Sequence, residues 1–158
     1  MASENYKPIA VNRKALRDYQ VLDTFEAGIV LKGTEIKSVR SGRVNLREAY
    51  ARTHDGEMWL FNAHIAQYEK AGIVNHEANR PRKLLLHSRQ IDHLQLELGQ
   101  KGLTIVALRV YIKNHKAKVQ IGLAKGRRQY DKRRVIASRQ VQRDMDRYEK
   151  TGIGSRKA

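Results

Sequence analysis

The stretch NHEANR sets His76 beside Glu77, and an imidazole next to a carboxylate is the raw material of general acid–base catalysis. Adjacent loop residues more often hydrogen-bond locally. The other histidines, His54, His64, His87, His93 and His115, are scattered, with no i, i+4 pair on a helix and no HExxH. Neither a P-loop nor GxGxxG occurs, and the carboxylates are too dispersed for a two-metal nuclease. The side chains gathered at useful spacing are cations. VNRKALRDY groups Asn12, Arg13, Lys14 and Arg17, and NRPRKLLLH groups Arg80, Arg82 and Lys83 ahead of an apolar run ending in His87. AKGRRQYDKRR, residues 124–134, packs six basic residues around Asp131 and Tyr130. Guanidinium and ammonium groups hold phosphates, while Asn, His and backbone groups read base edges or 2′-hydroxyls in exposed loops. Binding, not catalysis, is the expected chemistry, with no catalytic residue, cofactor or metal.

The charge balance says the same. Over 158 residues, Lys and Arg total 32 against 16 Asp and Glu, a net +16. Twelve cations and four anions fall from Lys125 onward, so half the excess lies in the last 34 residues. Such asymmetry points to a polyanion, nucleic acid first and an anionic membrane surface second. No apolar run is long enough for a bilayer span, and MASENYKPIA has no apolar signal region. With no cysteine, disulfides and thiolate metal sites are excluded. A cytoplasmic polyanion-binding protein with no membrane role is expected.

Strands must position most of these groups. In TIVALRVYIKNHKAKVQIGL, Val106, Leu108, Val110 and Ile112 alternate with Ala107, Arg109, Tyr111 and Lys113. After the turn Asn114-His115-Lys116, Ala117, Val119, Ile121 and Leu123 alternate with Lys118 and Gln120. This predicts a hairpin with one buried and one wet face. YARTHDGEMWLF predicts a second hairpin turning at Asp55-Gly56. YQVLDTFEAGIVL predicts a further strand with a bulge or bend at Gly28. Two short helices are expected. One lies in GTEIKSVRSG, capped by Thr34 and ended by Gly42; the other lies in SRQIDHLQLELGQKG, capped by Ser88 and stopped by Gly99 and Gly102. Several strands with short interrupting helices predict a mainly β chain forming a small antiparallel barrel, since closure removes exposed sheet edges.

Beyond the strands the pattern changes. On a helical wheel Lys132, Arg139, Arg143, Arg147 and Lys150 share a narrow arc with Ile136, opposite a thin strip of Val141, Met145 and Tyr148. A stripe this basic buries too little to fold alone, so a tail disordered when free and helical when docked on an anion is expected. The organisation read from this is a flexible N-terminus over 1–8, a β-barrel over 9–124 and a basic tail over 125–158.

NRKALRDY, FEAGIVLKGTEIKSVRSGRVNL, NHEANRPRKLLLH and IGLAKGRRQYDKRRVI, in this order, resemble the successive signatures of the SsrA-binding (small protein B) family from about Ile9 to Arg139. The resemblance implies an oligonucleotide-binding-type barrel that grips the transfer-RNA-like domain of transfer-messenger RNA. It also implies delivery of that RNA to stalled bacterial ribosomes in trans-translation, the basic tail entering the decoding centre of the small subunit and the empty message channel. A monomer is expected, with elongation factor Tu as a further expected partner through the RNA. Carried over by position, the RNA face includes Asn12, Arg13, Lys14, Glu26, Leu85 and His87, to which the basic cluster in NRPRKLLLH adds Arg82 and Lys83. At the ribosome, Gly126, Arg127, Asp131, Lys132 and Arg133 match the family's positions; the basic stretch and the helical stripe add Lys125, Arg128, Tyr130, Ile136, Arg139, Arg143, Arg147 and Lys150 as expected contacts. Glu26 repels phosphate, so it either accepts hydrogen bonds from a base edge or 2′-hydroxyl or orients a neighbouring Arg. Tyr130 stands where many relatives carry histidine, Ala137 where lysine is common and Ala78 where proline is common. A general single-strand-binding barrel is the alternative. Such proteins line their grooves with stacking aromatics, and only 6% of this chain is aromatic.

Overall fold

Tight turns with left-handed residues organise the molecule. Asn114 and His115 (φ 50° and 63°) join two eleven-residue strands, and Asp55 and Gly56 (φ 50° and 75°) join two five-residue strands, both as expected. The computed structural model describes residues 6–71, 74–99, 102–127 and Arg143. Two compact units divide the chain, Met1–Gly126 and Arg127–Ala158. The order in the first is β1 (Ala10–Val11), α1 (Arg13–Asp18), β2 (Tyr19–Ile29), α2 (Gly33–Arg40), β3 (Val44–Asn45), β4 (Tyr50–His54), β5 (Glu57–Phe61), β6 (His64–Ile65), a 3-10 turn (Glu69–Ala71), β7 (Arg82–Leu85), α3 (Ser88–Leu98), β8 (Leu103–Lys113) and β9 (Lys116–Gly126). The fold is mainly β with few helices.

All pairings are antiparallel. One sheet runs β1-β8-β4-β5-β7-β2-β9, and β9 pairs with β8 as well; β3 and β6 form a separate ribbon. Its inward residues, among them Ala27, Met58, Leu60, Leu84, Ile105, Ala107, Val119 and Ile121, make the main core with Val39 and Leu94 from α2 and α3.

Two irregularities depart from strict alternation. The β8–β9 register shifts between Ala107 and Arg109, so Val106 and Leu108 turn away from the main core and pack with Ala15 and Ala124 in a second cluster. The expected assignment of Val106 and Leu108 to the same face as Val110 is therefore corrected: α1 gives β8 a second buried face. In β2 the shift falls between Val21 and Asp23, with Leu22 half exposed, and not at Gly28. Gly28 is instead the point where β2 faces two strands at once, opposite Leu85 of β7 and Lys118 of β9.

The helix ends differ from expectation by one or two residues. Lys32, not Thr34, precedes α2, and Glu35 Oε1 accepts its N–H at 2.8 Å; Thr34 gives its hydroxyl to His76. His87, not Ser88, precedes α3, and Gln90 Oε1 accepts its N–H at 3.1 Å. Gly42 (φ 76°) ends α2 as expected: its N–H reaches Val39 O and that of Arg43 reaches Ser38 O, the paired bonds of a Schellman turn.

A charged pair lies in the interior. Glu35 and Arg82 are both fully buried; Glu35 accepts from Arg82 Nε and from Arg80 Nη2. Arg82 also donates to Ala63 O (2.7 Å) and Ala78 O (3.0 Å), so its fork ties β7 to the loops on either side. Burial favours the neutral acid, yet the bonds from Arg80, the Lys32 N–H and Arg82 hold the Glu35 carboxyl below its ordinary 4.5. Burial likewise pulls Arg82 below the usual guanidinium value, against the opposing pull of Glu35. A depressed carboxyl contributes stability that is full above the unfolded value and lost as pH falls through the folded one. The midpoint of urea unfolding should thus drop below about pH 4.5 in the wild type. Glu35→Gln should cost about 3–5 kcal/mol at pH 7 by stranding Arg82, with a flatter acid limb.

Candidate nucleic-acid interface

Three of the expected RNA-face residues converge around Gly28. Two adjoining depressions, of about 350 and 340 Å³, share Gly28, Leu85 and Lys118. One extends over Ile29, Leu31 and Ile36 to His115 and Lys116 at the hairpin tip; the other extends to Glu26, His87 and Gln90. Gly28 lets β2 approach β7 closely, since a Cβ there would lie 3.2 Å from Leu85 Cβ. Leu85 itself is 53% exposed, an apolar edge between an imidazole and an ammonium group. The N-terminal end of α3, where backbone N–H groups carry partial positive charge, begins at His87 on the same rim. The arrangement offers a platform for a base or ribose, cations for phosphate, and one carboxylate.

That carboxylate is held in place. Glu26 Oε2 accepts from the Tyr111 hydroxyl, and Oε1 lies 3.5 Å from Lys113 Nζ. Tyr6 stacks on Tyr111 with centroids 5.7 Å apart, and Lys113 Nζ sits 5.4 Å from the Tyr6 centroid. Burial, then the Glu26 hydrogen bond and charge, push the Tyr111 phenol up, so it stays a donor at any physiological pH. Among the described residues, the partners of Glu26 are a tyrosine and a lysine, not an arginine.

Two expected contact residues lie inside the fold and are corrected. Asn12 is 2% exposed: Nδ2 donates to Leu46 O (2.7 Å) and Ala107 O (2.8 Å), and Oδ1 accepts the Ala15 N–H (3.0 Å). It caps α1, a helix with no expectation behind it, and thereby sets out Arg13, exposed, and Lys14, 2.5 Å from Glu48. Arg82 belongs to the Glu35 pair, with both side chains fully buried. Lys83 is partly exposed and bonded to Glu57 at 2.9 Å. His76 is also interior. Its Nε2 meets the Ile65 carbonyl and so carries the proton, while Nδ1 faces Thr34 Oγ1; both ring nitrogens are occupied and Glu77 is not their partner.

The α1 group and the Gly28 groove are not one cluster. Strand β2 runs from Tyr19, directly after α1, to the groove, about 30 Å away at about 3.3 Å per residue. Lys125 and Arg127 are exposed, and Gly126 pairs with Tyr19, so β9 ends beside α1. Arg143 is helical and exposed. Arg128, Tyr130, Asp131, Lys132, Arg133, Ile136, Arg139, Arg147 and Lys150 lie outside the described residues. Lys118, His115, Lys116 and Tyr111 join the site without having been expected there. Alternation marks Lys118 as outward, but only the pairing register places it opposite Gly28.

The model of the SmpB protein family matches residues 9–151. The chain belongs to this family. SsrA-binding proteins of Carboxydothermus hydrogenoformans and Shouchella clausii are 52% and 54% identical, each over 89% of this chain and over 95% and 90% of their own lengths. A solved structure described as "tmRNA-SmpB: a journey to the center of the bacterial ribosome" is similar at TM-score 0.67 and 46% identity, covering 82% of this chain and 95% of that one. No helix among the described residues is long and apolar enough to cross a membrane.

For RNA seated on the groove, Lys118→Ala should flatten the dependence of log K on log salt by about 0.7–0.9, one phosphate contact. Leu85→Ala should weaken binding and leave that slope unchanged, because leucine neutralises nothing. Filter binding across a salt series reads both, and equal slopes for all three proteins would move phosphate off Lys118.

Proposed function

We propose that the chain binds the transfer-RNA-like domain of transfer-messenger RNA and carries it to stalled bacterial ribosomes for trans-translation. The observation that carries this reading is the convergence of Glu26, Leu85 and His87 on one groove in a member of the SmpB family. The sheet order, in which β9 returns to pair with β8, supports reading the strands as an oligonucleotide-binding-type barrel. The site rests on hydrogen-bonding and apolar contacts within a cationic surround, which suits a binder that selects one RNA fold.

The basic segment from Lys125 onward is the ribosome-facing part in this reading. A ribosome without message presents a channel lined by RNA phosphates, and a cationic chain entering it gains by counterion release. Message already in the channel excludes it by bulk. The arginines at 139, 143 and 147 recur at helical spacing, so they meet RNA together only if the segment is helical there.

Stopping the chain after Tyr130 should leave affinity for transfer-messenger RNA within a few-fold and abolish peptide tagging on ribosomes programmed with a message lacking a stop codon. Loss of RNA binding by a folded truncation would overturn this division. A gel shift against unstructured RNA of equal length separates the reading from a general single-strand binder.

Helicity of the tail has its own test. Ile136→Pro or Val141→Pro leaves the charge unchanged but costs a helix interior about 3 kcal/mol, whereas one exposed charge contact is worth about 1 kcal/mol. Tagging should therefore fall further for either proline variant than for Arg139→Ala. Normal tagging by the proline variants would make the tail an extended cationic strand.

A further inference from the structure

The β4–β5 hairpin carries aromatic rings on the face turned away from the core. Ala51, Met58 and Leu60 are buried in the main core, so alternation turns Tyr50, Arg52, Trp59 and Phe61 outward. The chain has one Trp, two Phe and seven Tyr, and three of these rings share this one hairpin face. Tyr50 and Phe61 pair across the strands and stack, with centroids 5.5 Å apart and rings inclined by 20°. Trp59 is the next outward residue on β5, with Arg52 opposite it on β4 and Lys83 opposite it on β7.

Among the described residues, none of the three rings belongs to either hydrophobic core cluster. Trp59 is half-buried, and its Nε1 is covered with no hydrogen-bond partner among those residues. A buried indole N–H usually finds an acceptor, so the fold gains no such bond from a tryptophan here. With its one polar atom covered, what the side chain shows to solvent is ring carbon. Surface cations are ordinary in a chain with 32 Lys and Arg; three aromatic rings outside both cores are not.

This face is continuous with the Gly28 groove. Lys83 and Leu85 point outward from the same strand, and Val30, 45% exposed, joins Lys83 through its N–H to the Lys83 carbonyl at 3.0 Å. Trp59 lies one strand across and two residues along from Leu85, about 8 Å between Cα atoms. A nucleotide next to one seated at Leu85 spans that gap. Every base has a π face, and an aromatic ring on a sheet beside an arginine holds unpaired bases without reading their sequence. Lys83 is bonded to Glu57 at 2.9 Å, which leaves exposed Arg52 to meet the phosphate. A protein laid over Trp59 would take both flanking cations out of water, whereas a nucleotide brings their counter-charge with it.

We infer that Trp59 is a stacking platform for an unpaired base of the same RNA that occupies the Gly28 groove, with Arg52 on the adjoining phosphate. The inference rests on the proposed RNA partner and adds a contact outside the groove.

Trp59 is the chain's single tryptophan, so indole emission of the full-length protein reports this position alone. Titration with the transfer-RNA-like domain of transfer-messenger RNA should quench that emission, saturating together with binding read by filter retention. Trp59→Leu should weaken binding about tenfold, the loss of one stacked base, while Trp59→Phe should keep it within about threefold. The wild-type emission needs no variant and decides the matter even where Trp59→Leu fails to fold. Emission unmoved at saturating RNA, or equal binding by all three proteins, would overturn the inference and leave the functional reading standing. Emission silent to this RNA but quenched by ribosomes would assign the face to the ribosome and overturn it as well. No binding of this RNA by the wild type would overturn the functional reading, and this inference with it.

Discussion

The buried carboxylate of Glu35 is the constraint on which the rest depends. Removing a charge from water costs several kcal/mol unless it is fully paired, and this one is paired by Arg80, Arg82 and the Lys32 N–H. Those partners come from three places: the start of α2, the loop before β7, and β7 itself. Satisfying the carboxylate therefore fixes where β7 begins. Leu85 lies three residues further along the same strand, and His87 follows it. The exposed edge of the groove is thus set by an ion pair buried behind it. His76 does the same for the preceding loop, bridging Thr34 of α2 to the Ile65 carbonyl, with its own carbonyl held by Gln67 at 3.0 Å.

Much of this was legible in the chain. Alternation and turn chemistry place β4, β5, β8 and β9, and a glycine placed the end of α2. The misreadings have one physical source: side-chain type does not reveal which way a side chain faces when a partner element is unseen. Val106 and Leu108 look like the main core because nothing local indicates that α1 will cover the other face of β8. Arg82 looks like a phosphate ligand because it stands among cations, yet the alternation that buries Leu84 also buries position 82, and Glu35 waits there. Asn12 looks like a base reader beside Arg13 and Lys14, but it is a cap whose side-chain NH₂ and carbonyl make three hydrogen bonds inside the fold.

The groove shows the opposite error. Its less obvious members, Gly28 and Lys118, carry no signature of their own, because their importance comes from register. Gly28 opposes Leu85 on one side and Lys118 on the other. A glycine that looks like a bend is a close approach between strands, and a lysine in a run of alternating residues becomes the cation beside an apolar edge.

With 32 cations on 158 residues, attraction to any polyanion comes easily and discriminates little. Selectivity has to come from groups whose contribution depends on what faces them. Glu26 is the clearest: beside a phosphate it repels, beside a base amine or ribose hydroxyl it accepts, so it raises the cost of wrong ligands as much as it favours the right one. It can do so only if it stays put. Tyr111 holds it by giving one oxygen of Glu26 a neutral donor that burial and the carboxylate itself keep protonated, while Lys113 lies 3.5 Å from the other. Tyr6, stacked on Tyr111, fixes the ring in turn. The rings of Tyr6 and Tyr111 thus hold an acid in place among the cations that rim the groove.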